Sequence, residues 1–173
     1  VIWHAVKEGI LSKENVFWMP SNRGFALAQN HAFRQLGARN EYRYVATLNI
    51  DAQAESNWLA RLVEEANKSL SNVGMWGCCI LQPKPDDDRI SSAGHALRAE
   101  DGAFLDVDWN RPVGRDLYSS MPSFEPFSPC FAAALWSFKM LSSVGLPDND
   151  QFLYYDDVDL AFKARIQGWS ARY

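Results

Sequence analysis

The chain has 173 residues, a formal net charge of −4, and 47% hydrophobic against 22% charged residues. That length supports one domain with a sizeable core, and the composition excludes a disordered chain. The acidic balance leaves no electrostatic footprint for nucleic acid, and no apolar run is long enough to span a bilayer. Cys78, Cys79 and Cys130 are odd in number and include an adjacent pair, which predicts a reducing compartment rather than a disulfide framework. No Cys/His spacing resembles a zinc site.

Ile2, Trp3, Val6 and Ile10 recur at helical spacing and predict a short helix over residues 1–11. Residues 16–19, Val-Phe-Trp-Met, read as a buried strand closed by Pro20. Ser21 or Asn22 then caps a helix running to about Leu36, and Gly24 lets another group approach the backbone closely. A strand, a polar turn and a helix N-terminus commonly face a phosphate. On this turn alone, an ordinary capped helix explains the residues better.

Residues 42–49 predict a second strand, with Asn49-Ile50-Asp51 at its carboxyl edge. Trp58, Leu59, Leu62, Val63, Ala66 and Leu70 line one face of a helix over 56–70, and 73–81 predicts a third strand. Strands alternating with helices through short connections indicate a mainly parallel α/β sheet, whose ligands bind beyond the carboxyl ends of the strands. Residues 82–121 form an irregular excursion with strand-like pieces at 90–97 and 103–107. There the run Asp86-Asp87-Asp88 reads as a solvated loop tip before a cation site, and His95 as a hydrogen-bonded structural histidine before a ligand.

A proline-punctuated loop over 122–129 leads to a small-residue strand at 131–136 and a short helix at 137–144. A polar turn follows, and then Tyr154-Tyr155-Asp156-Asp157-Val158-Asp159 opens a helix that stops at Gly168. Its three carboxylates fall in the first turn, where free N–H groups and the positive dipole end favour anions. The chain begins in mid-helix and ends as a strand starts, so we expect a piece of a longer protein, inactive by itself. Nothing marks a second domain, and residues 1–173 are read as a single, partial one.

Four stretches, in order, resemble the family 2 glycosyltransferases of GT-A fold, in particular the rhamnosyltransferase-like branch. Asn22-Arg23-Gly24-Phe25-Ala26 with Asn30 is similar to that family's N-x-G-F-a…N turn. Leu48-Asn49-Ile50-Asp51-Ala52 is similar to its L-N-P-D-A segment, a local form of the metal-binding D-x-D. Residues 129–135 match its small-residue strand, and Asp156-Asp157-Val158-Asp159-Leu160 through Lys163 to Gly168-Trp169 resembles E-D-x-D-L-x-x-R-x-x-x-x-G-W. Ile50, Asp156, Lys163 and Leu27 depart from the family's proline, glutamate, arginine and glycine.

The resemblance implies a three-layer α/β/α fold with a mainly parallel mixed sheet. It implies an inverting, metal-dependent transfer of sugar from a nucleotide-diphosphate sugar to a glycan or lipid-linked acceptor in cell-surface polysaccharide biosynthesis. Asn22, Gly24, Asn30, Asn49 and Asp51 would contact the donor, with Asp51 holding Mg²⁺ or Mn²⁺. Asp157 would be the base, and Asp156 and Trp169 would border the acceptor. The implied location is cytoplasmic, with peripheral association of the full-length protein at the inner face of the cell membrane.

The acidic stretch also has a plain helical account. Asp156 serves as N-cap, Asp159 completes a capping-box-like pair and bonds Lys163 at i, i+4, and Asp157 alone is left without a structural task. Trp169, Tyr154 and Tyr155 have faces that could stack on acceptor sugars, with burial in the core as the equal alternative. Two other classes stay open: a non-catalytic cation- or carbohydrate-binding module, and a nucleotidyltransferase.

Overall fold

The computed structural model describes residues 2–83, 85, 89–113 and 124–173; the triple aspartate lies outside them. Among the described residues, five helices and eight strands form a mixed α/β arrangement. In chain order they are α1 (Ile2–Lys7), α2 (Phe25–Ala38), β1 (Tyr44–Leu48), α3 (Trp58–Lys68), β2 (Val73–Gly77), β3 (Ile80–Leu81), β4 (Ile90–Ser92), β5 (His95–Leu97), β6 (Phe104–Asp106), β7 (Ala133–Ser137), α4 (Phe138–Val144), α5 (Asp156–Ile166) and β8 (Ser170–Arg172).

The central sheet has the order β1-β7-β2-β8. β7 pairs antiparallel with β1 and with β2, and β2 pairs parallel with β8. β1, β2 and β8 therefore run one way with β7 reversed between them. The expectation of a mainly parallel sheet holds for strand direction but not for pairing, because the reversed strand sits inside the sheet.

Register explains the layers. Val45, Trp136, Met75 and Ala171 form one row across the sheet, and Ala46, Leu135, Trp76 and Arg172 the next. Successive strand residues point to opposite faces, so the rows enter different cores. The first packs with Phe33 of α2, Met140 and Leu141 of α4, and Leu160, Ala161 and Ala164 of α5. The second packs with Leu62 and Ala66 of α3. Helices thus cover both faces. Burying each large side chain contributes roughly 1.5–3 kcal/mol, and the one polar atom of buried Trp136, its indole N–H, donates to Thr47 Oγ1 at 3.1 Å.

Residues 16–19 are not a strand. A 3-10 turn at Lys13–Asn15 precedes them, and Phe17 and Trp18 stay 40% and 58% exposed, Trp18 stacked on Trp3. An apolar run of four satisfies the strand pattern, yet among the described residues no strand pairs with it. In the excursion, the predicted strand 90–97 breaks at Gly94, whose φ of +93° turns the chain between β4 and β5. Two small antiparallel pairs result, β3 with β4 and β5 with β6.

Candidate functional site

The first turn of α5 is positioned by the loops on either side of it. Phe25 N–H donates to Phe152 O at 2.7 Å, and Asn22 Oδ1 accepts from Gly24 N at 3.0 Å. Asn30, fully buried, donates through Nδ2 to Pro147 O at 2.7 Å and to Asn149 Oδ1 at 2.9 Å. Asp159 Oδ2 accepts from Asp148 N and from Lys163 Nζ at 3.0 and 2.6 Å, and Lys163 also donates to Leu146 O. Loop 146–152 is therefore clamped between α2 and α5. It delivers Tyr154 and Tyr155 in left-handed conformations, φ +70° and +62°, directly before the helix.

A second clamp holds residues 125–131 against the same helix. Arg165 donates to the carbonyls of Phe127 and Pro126 and pairs with Glu125 at 3.1 Å. His95 and Ser128 bridge as short β-partners, with His95 N donating to Ser128 O at 2.8 Å. Asp157 Oδ2 accepts from Phe131 N at 3.1 Å, and Asp157 Oδ1 from Val158 N at 2.9 Å. The imidazole of His95 consequently lies beside the carboxylate of Asp157, Nδ1 to Oδ2 3.8 Å. Ser128 Oγ stands 2.8 Å from the same Nδ1, and Asp106 Oδ1 3.5 Å from Nε2. His95, Cys130 and Asp157 each offer an atom within 4.8 Å of the others, a group that could hold a metal ion.

The two acidic places of the sequence approach one another through residues 130–132. Asn49 N donates to Ala132 O at 2.9 Å, one residue from the Phe131 amide that Asp157 accepts. Asp51 lies exposed just beyond, at the carboxyl edge of β1. Asn22, exposed, and Gly24, buried, stand against the loop that leads into α5. Asn30 faces inward and is closed to a ligand. Trp169 does not join the group: it follows the other end of α5, about 15 Å along the axis, where its indole N–H donates to Ser143 Oγ at 3.0 Å. Tyr155 instead lines a cleft of about 460 Å³ with Phe104, Gln151, Val158, Asp159 and Phe162.

The plain account of the carboxylates inverts. Tyr155, not Asp156, is the N-cap of α5, and it makes no side-chain cap. The pair Asp159–Lys163 forms as its spacing predicts. Asp157 has structural work to do, on Phe131 and Val158. The carboxylate without a complete one is Asp156, whose buried Oδ2 has no hydrogen-bond partner among the described residues. Burial, and next the charge of Asp157, pushes the Asp156 carboxyl up to about 6. Burial likewise pushes the Cys130 thiol up to about 12 and Cys78 up to about 11.

Sequence reading missed Cys130, Ser128 and Asp106 as site neighbours and took His95 as structural. Their positions in the chain carry no spacing signal, since β5, β6 and loop 125–131 meet through pairings set by the fold, β5 with β6 and His95 with Ser128. Among the described residues, no helix is long and apolar enough to cross a membrane. No protein-family model matches the chain, and no curated protein matches it significantly.

Proposed function

We propose that the chain is the catalytic part of a GT-A-type inverting glycosyltransferase acting in cell-surface polysaccharide biosynthesis. It would transfer a sugar from a nucleotide-diphosphate donor to a glycan or lipid-linked acceptor, in the cytoplasm or at the inner face of the membrane. One observation carries the reading: the hydrogen bonds of Asn49 to Ala132 and of Phe131 to Asp157 bring the Asp51 edge and the α5 carboxylates to adjoining residues. Such a transfer needs negative charge neutralised on the leaving diphosphate and a proton removed from the attacking hydroxyl.

Asp51 suits the first task as a single exposed carboxylate. Mg²⁺ and Mn²⁺ bound to nucleotides take one or two protein carboxylates and complete their shells with phosphate oxygens and water. When bound, that ion would supply charge neutralisation to the leaving group. Asn49, at the same edge, and Asn22, in the turn before α2, have amides able to donate to ribose or phosphate oxygens. Asp157 would accept the proton, with its carboxylate held in one orientation by two backbone N–H groups. The cleft beside Tyr155 has aromatic faces on which the apolar side of a sugar ring can stack.

The test is turnover of nucleotide-diphosphate sugars by the longest natural form of the chain, with the nucleoside diphosphate product measured. Asp157→Asn should retain donor binding and slow transfer by about 10²–10⁴-fold; transfer at the wild-type rate would remove Asp157 as base. Release of pyrophosphate would assign the chain to nucleotidyl transfer. Metal-dependent glycan binding without turnover would make it a binding module.

A further inference from the structure

We propose that His95, Cys130 and Asp157 form a binding site for a borderline-soft divalent ion of the Zn²⁺ class, distinct in chemistry from the Mg²⁺ or Mn²⁺ position at Asp51. The donor set decides the class. An imidazole nitrogen, a thiolate and one carboxylate select zinc and its neighbours, whereas magnesium and manganese prefer oxygen.

The geometry is close to a coordination shell. Zinc binds nitrogen and oxygen at about 2.0–2.2 Å and sulfur at about 2.3 Å, so tetrahedral ligands lie roughly 3.3–3.7 Å apart. His95 Nδ1 and Asp157 Oδ2 stand 3.8 Å apart, and all three donor atoms lie within 4.8 Å. Closing the triangle takes side-chain movements of about an ångström, and the ion would replace the Ser128 hydroxyl on Nδ1. Three protein ligands leave the fourth position open.

Two observations besides the spacing of the triad support occupancy. Asp106 Oδ1 lies 3.5 Å from His95 Nε2, the nitrogen that would face away from the ion. A ligating histidine generally gives its other ring N–H to a carboxylate, which fixes the tautomer and raises its basicity. Charge balance is the second. Asp156 and Asp157 are only 5% and 8% exposed, and among the described residues neither pairs with a lysine or arginine. Buried carboxylates normally have such a partner or a metal. A divalent ion would supply the missing positive charge and displace the Cys130 proton to solvent.

An ion on Asp157 Oδ2 and a base at Asp157 exclude each other. If the transfer reading above holds, Zn²⁺ would therefore inhibit transfer at concentrations that fill this site. The binding claim does not depend on that reading.

The experiment is a Co²⁺ absorption titration of the chelator-treated protein. We expect the intense visible bands of four-coordinate cobalt together with a thiolate-to-cobalt charge-transfer band. Cys130→Ser should abolish the charge-transfer band, Asp106→Ala should weaken Co²⁺ binding about 10–100-fold, and Cys79→Ser should change neither. In the wild-type protein, Zn²⁺ should also protect Cys130 from alkylation, which reads the site without a variant. Weak six-coordinate bands, a spectrum unchanged by Cys130→Ser, or alkylation of Cys130 unaffected by Zn²⁺ would overturn the proposal. These readouts contain no sugar, so their failure leaves the transfer reading standing, and failure of transfer leaves them intact.

Discussion

Gly24 and Phe152 touch so closely that a Cβ on the glycine would stand 2.4 Å from the Phe152 carbonyl oxygen. The glycine also has φ +92°, a conformation that side chains rarely adopt. The contact joins the turn before α2 to the loop before α5, and the next residue completes it through the Phe25 N–H bond. Gly24→Ala should cost at least about 2–3 kcal/mol, because strain and backbone collision act together. Gly102→Ala is the control. It shares the positive φ at +72° but has open space around it, so about 1 kcal/mol is expected. Urea denaturation of the two variants separates the contributions.

Asn30→Ala should destabilise the fold by about 2–3 kcal/mol, since it strips the Pro147 carbonyl and the Asn149 amide of a buried partner. Calorimetry measures this directly. A residue that served the donor instead would alter nucleotide binding with stability unchanged; we expect the reverse at Asn30.

The buried carboxyl of Asp156 should make stability pH-dependent. Its folded-state value of about 6 lies above the ordinary 3.8, so the native state holds this proton more tightly than the unfolded chain. This contribution is fully present below pH 3.8 and is lost as pH rises through 6. Asp156→Asn should therefore stabilise the protein at pH 7.5 by about 1–2 kcal/mol and by almost nothing at pH 3.5. Thermal unfolding across that range checks the sign. A gain in stability accompanied by lost activity would mark Asp156 as a carboxylate kept for function.

Asp51 is exposed, so Asp51→Ala should shift stability by no more than about 0.5 kcal/mol. If it holds the donor's cation, the same change should raise the Mg²⁺ or Mn²⁺ concentration needed for half-maximal donor binding by at least about tenfold. Calorimetric titration of a nucleotide-diphosphate sugar, repeated after chelation, reads the effect.

Much of this framework was legible because periodicity reports burial. α3 and α5 emerge close to their predicted spans, and the Asp159–Lys163 pair forms at its i, i+4 spacing. Residues 16–19 show the opposite case, since an apolar run cannot reveal whether a partner strand exists. Asp157, which lacks a capping task in the sequence, has structural partners in the fold for a related cause. Local sequence exposes capping partners within a helix, but the Phe131 N–H that occupies Asp157 comes from 26 residues away. The sequence marks His95 as a hydrogen-bonded structural histidine, and its Ser128 contact agrees. Its approach to Asp157 needed the fold, because the bridge to Ser128, the Phe131 N–H bond to Asp157 and the grip of Arg165 bring those segments together.

The reversed strand has a consequence for how the chain is made. β1 and β2 do not pair with each other; each finds its neighbour in β7, with Tyr44 opposite Ser137 and Met75 opposite Trp136. During synthesis both strands must wait with open edges until Ala133–Ser137 has left the ribosome. Such long-range closure slows folding and exposes pairing surfaces in the interval. Ribosome-stalled chains released before residue 133 should be protease-sensitive throughout β1 and β2, and protection should appear in one step once β7 emerges.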